Sequence, residues 1–351
     1  MDKIKHNKVS LKQQELYRCL KVVQSGNWAQ GKEVKKLESR LRLLSGQNHL
    51  LAVNNGLNAL IIALKSLGIK KGDKVMIPAY SCVALANSVL ACGADYICVD
   101  VDEKKYNMNF YDAKKKFNDK VKAIIIVNMF GLPAIFSKFK ELNVPIIEDC
   151  AHGFGLEIEG NLMGGQADIS IFSFYSTKFI GFGEGGAIGF KSNEHYSKAL
   201  DLRDYTDKEP SADRLNYKMT DIIASVIQTK LKNIDSLIKK RENIASKYLD
   251  TLDSSFKKSV QDFPKVNKRI WYRFVLQVND ADLFISNMAR SSIEVARPVE
   301  DWRGHVEAKN TPIASKLFMK NISIPMYLGL TNNEQKHIIS LINKSKKHYV
   351  E

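Results

Sequence analysis

The chain has 351 residues, of which 44% are apolar, so it is long enough for two domains with packed cores, and a disordered protein is excluded. Its formal net charge of +15 favours anionic partners such as nucleotides or phosphates, but it has neither a concentrated basic arm nor an RNP-like aromatic pattern, so we expect no nucleic-acid binding. No run approaches the roughly 18 consecutive apolar residues of a membrane span, and the N-terminal stretch lacks the apolar core of a signal peptide, so we expect no membrane span and a cytoplasmic location.

Apolar strands and amphipathic helices alternate through the first half of the chain. In order, the sequence predicts helices Leu11–Gln24 and Gly31–Leu44, strand His49–Val53, helix Leu57–Leu67, strand Lys74–Pro78, helix Ala79–Ala91, strand Asp95–Val101, helix Asp112–Phe117, strand Ala123–Met129, helix Ser137–Leu142, and strands Val144–Glu148 and Ile169–Phe174. This alternation favours the α/β class, with a mostly parallel sheet covered by helices on both faces.

The pattern changes beyond Phe190. The sequence predicts a helix at Glu194–Leu200, a polar loop at Asp201–Asn216, one long helix at Asp221–Lys247, a strand at Ile270–Val278, a helix at Asp282–Ser291, a short strand at Ile293–Ala296 and a helix at Asn332–Lys347. We therefore predict a large domain at 1–247, which includes the N-terminal helices, and a small C-terminal α/β domain at 248–351. The boundary is expected within the weakly patterned stretch Tyr248 to Lys268.

The stretch from Pro145 to Phe190 carries the most chemistry. Asp149 follows a buried strand, and Lys178 lies between a second strand and a glycine-dense loop. A lone lysine beside a turn is usually a surface charge. A lysine that forms a Schiff base with pyridoxal phosphate (PLP), however, needs a carboxylate opposite the pyridine nitrogen, and Asp149 is available for that role.

A candidate anion site lies earlier in the chain, where strand His49–Val53 leads through an Asn-Gly turn into a helix at Gly56. The free amides and the dipole of a helix N-terminus favour a phosphate, although such a short pattern is also found in ordinary strand-to-helix turns. The five cysteines show neither CxxC nor Cys/His spacing, so we predict neither a disulfide framework nor a metal site.

Four ordered blocks resemble the DegT/DnrJ/StrS sugar aminotransferases, and the resemblance covers almost the whole chain. The blocks are GLNALIIALKSLGIKKGDKVMIPAYSCVA, IIEDCAHGFG, SFYSTKFIGFGEGGAIGF and LNYKMTDIIASVIQTKLKNID. The resemblance implies a PLP-dependent transferase of fold type I. It further implies transfer of an amino group, with L-glutamate as the expected donor, to a nucleotide-diphosphate keto-sugar in amino-sugar biosynthesis, by a homodimer with shared active sites.

The family pattern assigns roles to individual positions. Lys178 is the Schiff-base lysine, Asp149 holds the pyridine nitrogen protonated, and Ser173 donates to the phosphate. The other implied cofactor contacts are Gly56, Leu57 and Asn58 at the helix start, Cys82, His152, and Asn216 from the neighbouring subunit. Two of these positions depart from the family pattern. Leu57 replaces a frequent threonine, and Cys82, with Tyr80 nearby, falls where an aromatic ring often stacks on the cofactor. A third position allows two interpretations, since His152 is either a cofactor contact or a packed, hydrogen-bonded residue.

Substrate-side positions are left more open. Asn128 replaces a histidine that is frequent in the family, and Arg297, Trp302 and His305 lie where relatives approach the sugar or nucleotide, but each has a structural reading as well. Two alternatives to transamination remain: a PLP-dependent sugar dehydratase, against which Lys178 argues because dehydrating relatives carry histidine there, and a non-catalytic regulatory protein of the same fold, which has no need for both Asp149 and Lys178.

Overall fold

A computed structural model describes residues 3–155, 157–158, 161–257, 260, 270–305 and 308–349. Its α-helices are α1 Gln13–Gln24, α2 Lys32–Ser45, α3 Gly56–Ser66, α4 Ala84–Ala91, α5 Phe110–Lys116, α6 Asn193–Leu202, α7 Asp221–Lys232, α8 Ile234–Thr251, α9 Ser254–Lys257, α10 Ala281–Arg290, α11 Pro312–Lys320 and α12 Asn332–Tyr349. Its strands are β1 His49–Val53, β2 Lys74–Pro78, β3 Asp95–Val99, β4 Val121–Val127, β5 Ile146–Asp149, β6 Glu157–Ile158, β7 Asn161–Leu162, β8 Ile169–Ser173, β9 Gly186–Phe190, β10 Phe274–Gln277 and β11 Asn321–Ile324.

The main sheet has seven strands in the order β1-β9-β8-β5-β4-β2-β3. The pairs from β8 to β3 are parallel, whereas β9 runs antiparallel to both β8 and β1. Alternate residues face opposite cores: Ile169 and Ile171 of β8 pack into one hydrophobic cluster, and Phe172 packs into another on the opposite face. The predicted α/β class with a mostly parallel, helix-covered sheet is confirmed.

The strand β9 was missed because its glycines indicate a loop. The structure explains why glycine is needed there. A Cβ atom on Gly186 would lie 2.5 Å from the Asn55 carbonyl oxygen, and one on Gly189 would overlap the Ser170 hydroxyl. Close approach to neighbouring groups, rather than a turn, fixes these residues as glycine.

Two helices were predicted with the wrong extent. The long helix predicted from Asp221 to Lys247 is divided into α7 and α8 at Asn233, whose φ of −109° and ψ of 18° leave the helical region. The Asn233 side chain donates to the Thr229 carbonyl oxygen at 3.1 Å, which competes with the backbone ladder. The helix predicted from Ala79 begins only at Ala84.

The C-terminal elements also differ from the prediction. The strand predicted at Ile270–Val278 is limited to β10, which pairs antiparallel with β11, a strand not predicted. The residues of Ile293–Ala296 form only isolated bridges, from Ile293 to Ile4 and from Ala296 to Ser323. These pairings join distant parts of the chain, and local periodicity does not detect them.

A separate hydrophobic cluster packs around β10 and β11 and includes Tyr248 and Phe274. This cluster is consistent with a small C-terminal domain, but α8 continues to Thr251, and the boundary between 247 and 248 stays a prediction. Of the predicted linker, residues 258–259 and 261–268 lie outside the described residues. In the described part of the chain, no helix has the length and apolar character needed to cross a membrane.

Candidate active site

Lys178 lies in a tightly folded connection between β8 and β9. The Phe174 amide donates to the Gly185 carbonyl oxygen at 2.8 Å, and the Lys178 amide donates to that of Tyr175 at 2.7 Å. From α7, Lys230 Nζ donates to the Gly181 carbonyl oxygen at 2.7 Å. These contacts hold the backbone of Lys178 in one place at the end of the sheet where β5 and β8 finish.

A cavity of about 420 Å³ opens beside Lys178. It brings together six predicted site residues, which are Gly56, Leu57, Cys82, Asp149, Ser173 and Lys178. The reason is topological, because β5 and β8 are adjacent and parallel, so their carboxyl ends deliver Asp149 and Ser173 to the same edge of the sheet.

The amino end of α3 forms one wall of this cavity. Asn55 caps the helix, because its side-chain oxygen accepts from the Asn58 amide at 2.8 Å. The preceding first-turn amides have no intrahelical acceptor and therefore favour an anion. The Ser173 hydroxyl lies close to this end: a Cβ atom on Gly56 would be 3.2 Å from Ser173 Oγ.

Asp149 is a buried carboxylate that also lines the cavity. Its Oδ1 accepts from the Ala151 amide at 2.8 Å. Burial raises the pKa of Asp149, while the Ala151 hydrogen bond and the positive charge of Lys178 oppose the increase. Among the described residues Asp149 has no ion pair within 4.0 Å, so a ligand cation would stabilise its charged form.

His152 packs outside the cavity lining. Its ring is stacked on Tyr272 with centroids 4.2 Å apart, and its Nδ1 accepts from the Phe130 amide at 3.4 Å. Burial, followed by the positive charges of Lys178 and Arg273, holds the pKa of His152 well below its usual value. His152 is therefore a neutral imidazole at physiological pH, with its hydrogen on Nε2.

Like His152, the predicted cofactor residues Asn58 and Asn216 do not line the cavity of their own chain. The Asn58 side chain donates to Asn54 Oδ1 at 2.8 Å, so this amide already has a partner within the protein. Asn216 is exposed, and its side-chain oxygen accepts from the Lys218 amide at 3.3 Å. A role for Asn216 in a neighbouring subunit stays a prediction.

The substrate-side positions make structural contacts in this chain. Trp302 is buried and donates to the Ser81 carbonyl oxygen at 2.8 Å, and Arg297 pairs with Asp282 at 2.8 Å. His305 lines a different cavity beside β3.

Asn128 and Tyr80 are also packed into the protein. Asn128 Nδ2 donates to Glu148 Oε1 at 2.9 Å, and the Tyr80 hydroxyl accepts from Asn321 at 3.0 Å. Tyr80 does not line the cavity, so it is not placed to stack on a ligand there.

The DegT/DnrJ/EryC1/StrS aminotransferase family matches residues 9–343, nearly the full length of the chain. The chain belongs to this family. It is 29% identical to the GDP-perosamine synthase of Escherichia coli O157:H7 over 90% of this chain and 91% of that protein. It is 26% identical to the UDP-N-acetyl-3-dehydro-alpha-D-glucosamine 3-aminotransferase of Acidithiobacillus ferrooxidans, over 93% and 92%.

Solved structures agree with this assignment. A DegT DnrJ EryC1 StrS aminotransferase from Brucella abortus has a TM-score of 0.84 and 27% identity, and the match covers 94% of this chain and 95% of that one. Family membership confirms the predicted resemblance, the aminotransferase class and the PLP cofactor. The roles of individual residues stay predictions.

The residues that line the cavity beside Lys178 are suited to bind PLP. The amino end of α3 and Ser173 suit its phosphate, the buried Asp149 suits its protonated ring nitrogen, and Lys178 has an amine that suits its aldehyde. Cys82 is exposed at the cavity and presents no aromatic face.

A methyl group at position 56 should weaken cofactor binding. In Gly56→Ala, the new Cβ would lie 3.0 Å from Ser173 Cβ and push apart the helix end and the serine. We expect the Kd for PLP to rise by about tenfold to a hundredfold, since overpacking typically costs about 1–3 kcal/mol. Fluorescence titration measures it, and Gly304→Ala, where a Cβ meets nothing within 4 Å, is the control. An unchanged Kd would show that this close approach does not shape the phosphate site.

Sequence reasoning missed the cluster behind Lys178. Tyr272 was assigned only to a strand, yet Lys178 Nζ lies 5.1 Å from the centroid of its ring. The stretch IWYRFVLQV carries no motif, so only the folded structure shows that it approaches the active-site lysine.

Proposed function

We propose that this protein transfers an amino group from L-glutamate to a nucleotide-linked keto-sugar. The observation that carries the proposal is one cavity lined by Lys178, Asp149 and Ser173 at the amino end of α3. These groups can hold a phosphate, a protonated ring nitrogen and a reactive carbonyl at the same time. A purely regulatory protein has no need for this combination.

The chain's own residues divide the chemistry between them. When bound, PLP withdraws electrons from the donor carbon that loses a proton. With PLP bound, the free amine of Lys178 would take the proton from Cα of the donor and hold it for the return transfer. Asp149 keeps the ring nitrogen protonated. The same two residues act in reverse on the sugar, so two half-reactions share one site.

The names of the relatives support the substrate class. They include enzymes named for GDP-, UDP- and dTDP-linked sugars, so the sugar class recurs while the nucleotide varies. The net charge of +15 agrees with an anionic substrate. Incubation with a panel of such keto-sugars, followed by mass detection of amino products, tests the proposal. Failure to aminate any keto-sugar on the panel would contradict it.

Glutamate alone should convert bound PLP to its pyridoxamine form, because the first half-reaction needs no sugar. The change in the cofactor absorption spectrum measures this step. If another amine converts the cofactor and glutamate does not, the donor assignment is wrong and the aminotransferase class remains. A regulatory protein without catalytic activity would leave the spectrum unchanged with every amine, whereas a dehydratase would be recognised on the keto-sugar panel by a product that has lost water and gained no amino group.

We also propose a homodimer in which Asn216 completes the partner's site. In support, Leu57 and Tyr175 line the cavity yet are 37% and 47% exposed, which leaves apolar surface at its mouth. A heterodimer of one Lys178→Ala chain and one Asn216→Ala chain should retain about half of wild-type activity, because one of its two sites keeps both residues. Activity no higher than half that of the Asn216→Ala homodimer would place Asn216 in its own subunit's site. A cytoplasmic location stays a prediction.

A further inference from the structure

Positive charge collects around Tyr272, next to Lys178. The guanidinium carbon of Arg273 lies 5.2 Å from the centroid of the Tyr272 ring, and Lys178 Nζ lies 5.1 Å from it. Arg241, which is buried, donates to the Tyr272 carbonyl oxygen at 2.9 Å. Within the described residues, none of these three cations has a carboxylate within 4.0 Å.

Among the described residues, the two histidines that contact this group carry no charge. Arg273 Nη1 contacts His6 Nε2 at 3.1 Å, but burial, helped by Arg273 itself, lowers the pKa of His6 to about 3, so this ring is neutral. His152 is neutral as well. Asp149 interacts with Lys178 but is the carboxylate assigned to the cofactor ring.

The tyrosine itself responds to this environment. Burial raises the pKa of the Tyr272 phenol, but Lys178, Arg273, a hydrogen bond with the Thr177 side chain and Arg241 together outweigh burial and lower it to about 8. A phenol that ionises so readily indicates a local excess of positive charge.

Arg273 has unused hydrogen-bonding capacity. The side chain is half-buried, and its Nε is buried with no hydrogen-bond partner among the described residues. A guanidinium group with free donors binds a carboxylate in two parallel hydrogen bonds. An uncompensated, partly buried cation that shares a tyrosine neighbour with a reactive amine therefore favours an anionic ligand.

We propose that Arg273 binds a carboxylate of the amino donor. In an α-amino acid, one carboxylate and the reacting nitrogen share a carbon atom, so this carboxylate must lie close to Lys178. The diphosphate of a nucleotide sugar is separated from the reacting carbonyl carbon by atoms of the sugar ring. Arg273 and Lys178 both lie within 5.2 Å of the centroid of the Tyr272 ring, and this shared neighbour favours the first source of negative charge. This inference rests on the proposed transamination.

The two half-reactions separate the two sources. In Arg273→Gln, the glutamate concentration that gives half the maximal rate of PLP conversion should rise about ten- to a hundredfold, the range expected for lost hydrogen bonds to a charged group. The half-saturating keto-sugar concentration should stay unchanged. Arg273→Lys should recover part of the loss, and Arg290→Gln, which removes an exposed charge from α10, is the control.

A defect confined to the sugar half-reaction would assign Arg273 to the diphosphate and overturn the proposal, and so would an unchanged glutamate dependence. If the wild-type protein fails in both half-reactions, the proposed function itself is wrong.

Titration of the Tyr272 phenol tests the carboxylate site without measuring enzyme activity. Glutarate, which has two carboxylates and no amine, should raise the phenol pKa of Tyr272 by about one unit when it binds beside Arg273. Ultraviolet titration of the full chain in its pyridoxamine phosphate form, as a difference from Tyr272→Phe, isolates this phenol. Arg273→Gln should abolish the response to glutarate. If saturating glutarate leaves the phenol pKa of Tyr272 unchanged in the wild-type protein, the proposed carboxylate site is wrong, while the proposed function is unaffected.

Discussion

Lys178→Ala should lower the rate of amino transfer by about 10³- to 10⁴-fold and remove the covalent attachment of PLP. The lysine supplies both the amine that holds the cofactor and the base that moves the proton, and general acid–base catalysis alone contributes up to about 10⁴-fold. Among the cavity-lining residues no other lysine or histidine can take over the proton transfer. Steady-state rates and the cofactor absorption band measure the two losses.

The matched control is Lys198→Ala. Lys198 is an exposed lysine on α6, where it pairs with Glu194 at 2.7 Å, so its loss removes the same charge far from the cavity. This variant should keep the wild-type rate and spectrum. A Lys178→Ala protein with an unchanged absorption band would remove Lys178 from the active site.

Asp149→Asn should lower kcat by about 10²- to 10³-fold, the loss typical of removing one strong electrostatic contact from an active site. The amide can still accept from the Ala151 amide, so the local fold is retained, but it carries no charge to keep the ring nitrogen protonated. Asp168→Asn, at the opposite end of β5, should keep wild-type activity. Equal losses in the two variants would mean that Asp149 acts only through the fold.

The thermal stability of the chain without cofactor provides a second test of Asp149. Here we expect the Asp149→Asn change to increase the measured quantity, whereas it should decrease kcat. Because burial raises its pKa, the folded chain without cofactor holds the proton more tightly than the unfolded chain. This contribution therefore stabilises the folded state at low pH. It is lost as the pH rises from the pKa that Asp149 has in the unfolded chain to above the raised pKa that it has in the folded chain. Without PLP at neutral pH, Asp149→Asn should have a higher Tm than the wild type. A lower Tm would contradict the assignment of Asp149 as an unpaired buried charge.

Parts of the fold followed from local patterns in the sequence. Strand β4 contains the apolar run 123–127, β5 begins with Ile146 and Ile147, and Asn55 and Gly56 mark the start of α3, so these strands and the amino end of the helix were predictable. The break at Asn233 was not, because the amphipathic pattern continues through it and only the backbone angles reveal the end of α7.

In the active site, too, some residues were predictable from the sequence and others were not. Asp149 ends β5 and Lys178 lies five residues beyond the end of β8, and these two strands are adjacent and parallel, so topology brings the two side chains to the same edge of the sheet. The contact of Tyr272 and Arg273 with the lysine depends on how the C-terminal region packs against the sheet, and no local signal in the sequence encodes that contact.

Borohydride reduction of the PLP-loaded protein, followed by digestion and peptide mass analysis, tests the central claim most directly. Reduction fixes the cofactor on whichever amine holds it. We predict a single pyridoxyl adduct on Lys178, which disappears when the protein is first incubated with glutamate. An adduct on a different lysine, or one on Lys178 that persists after glutamate treatment, would contradict the account.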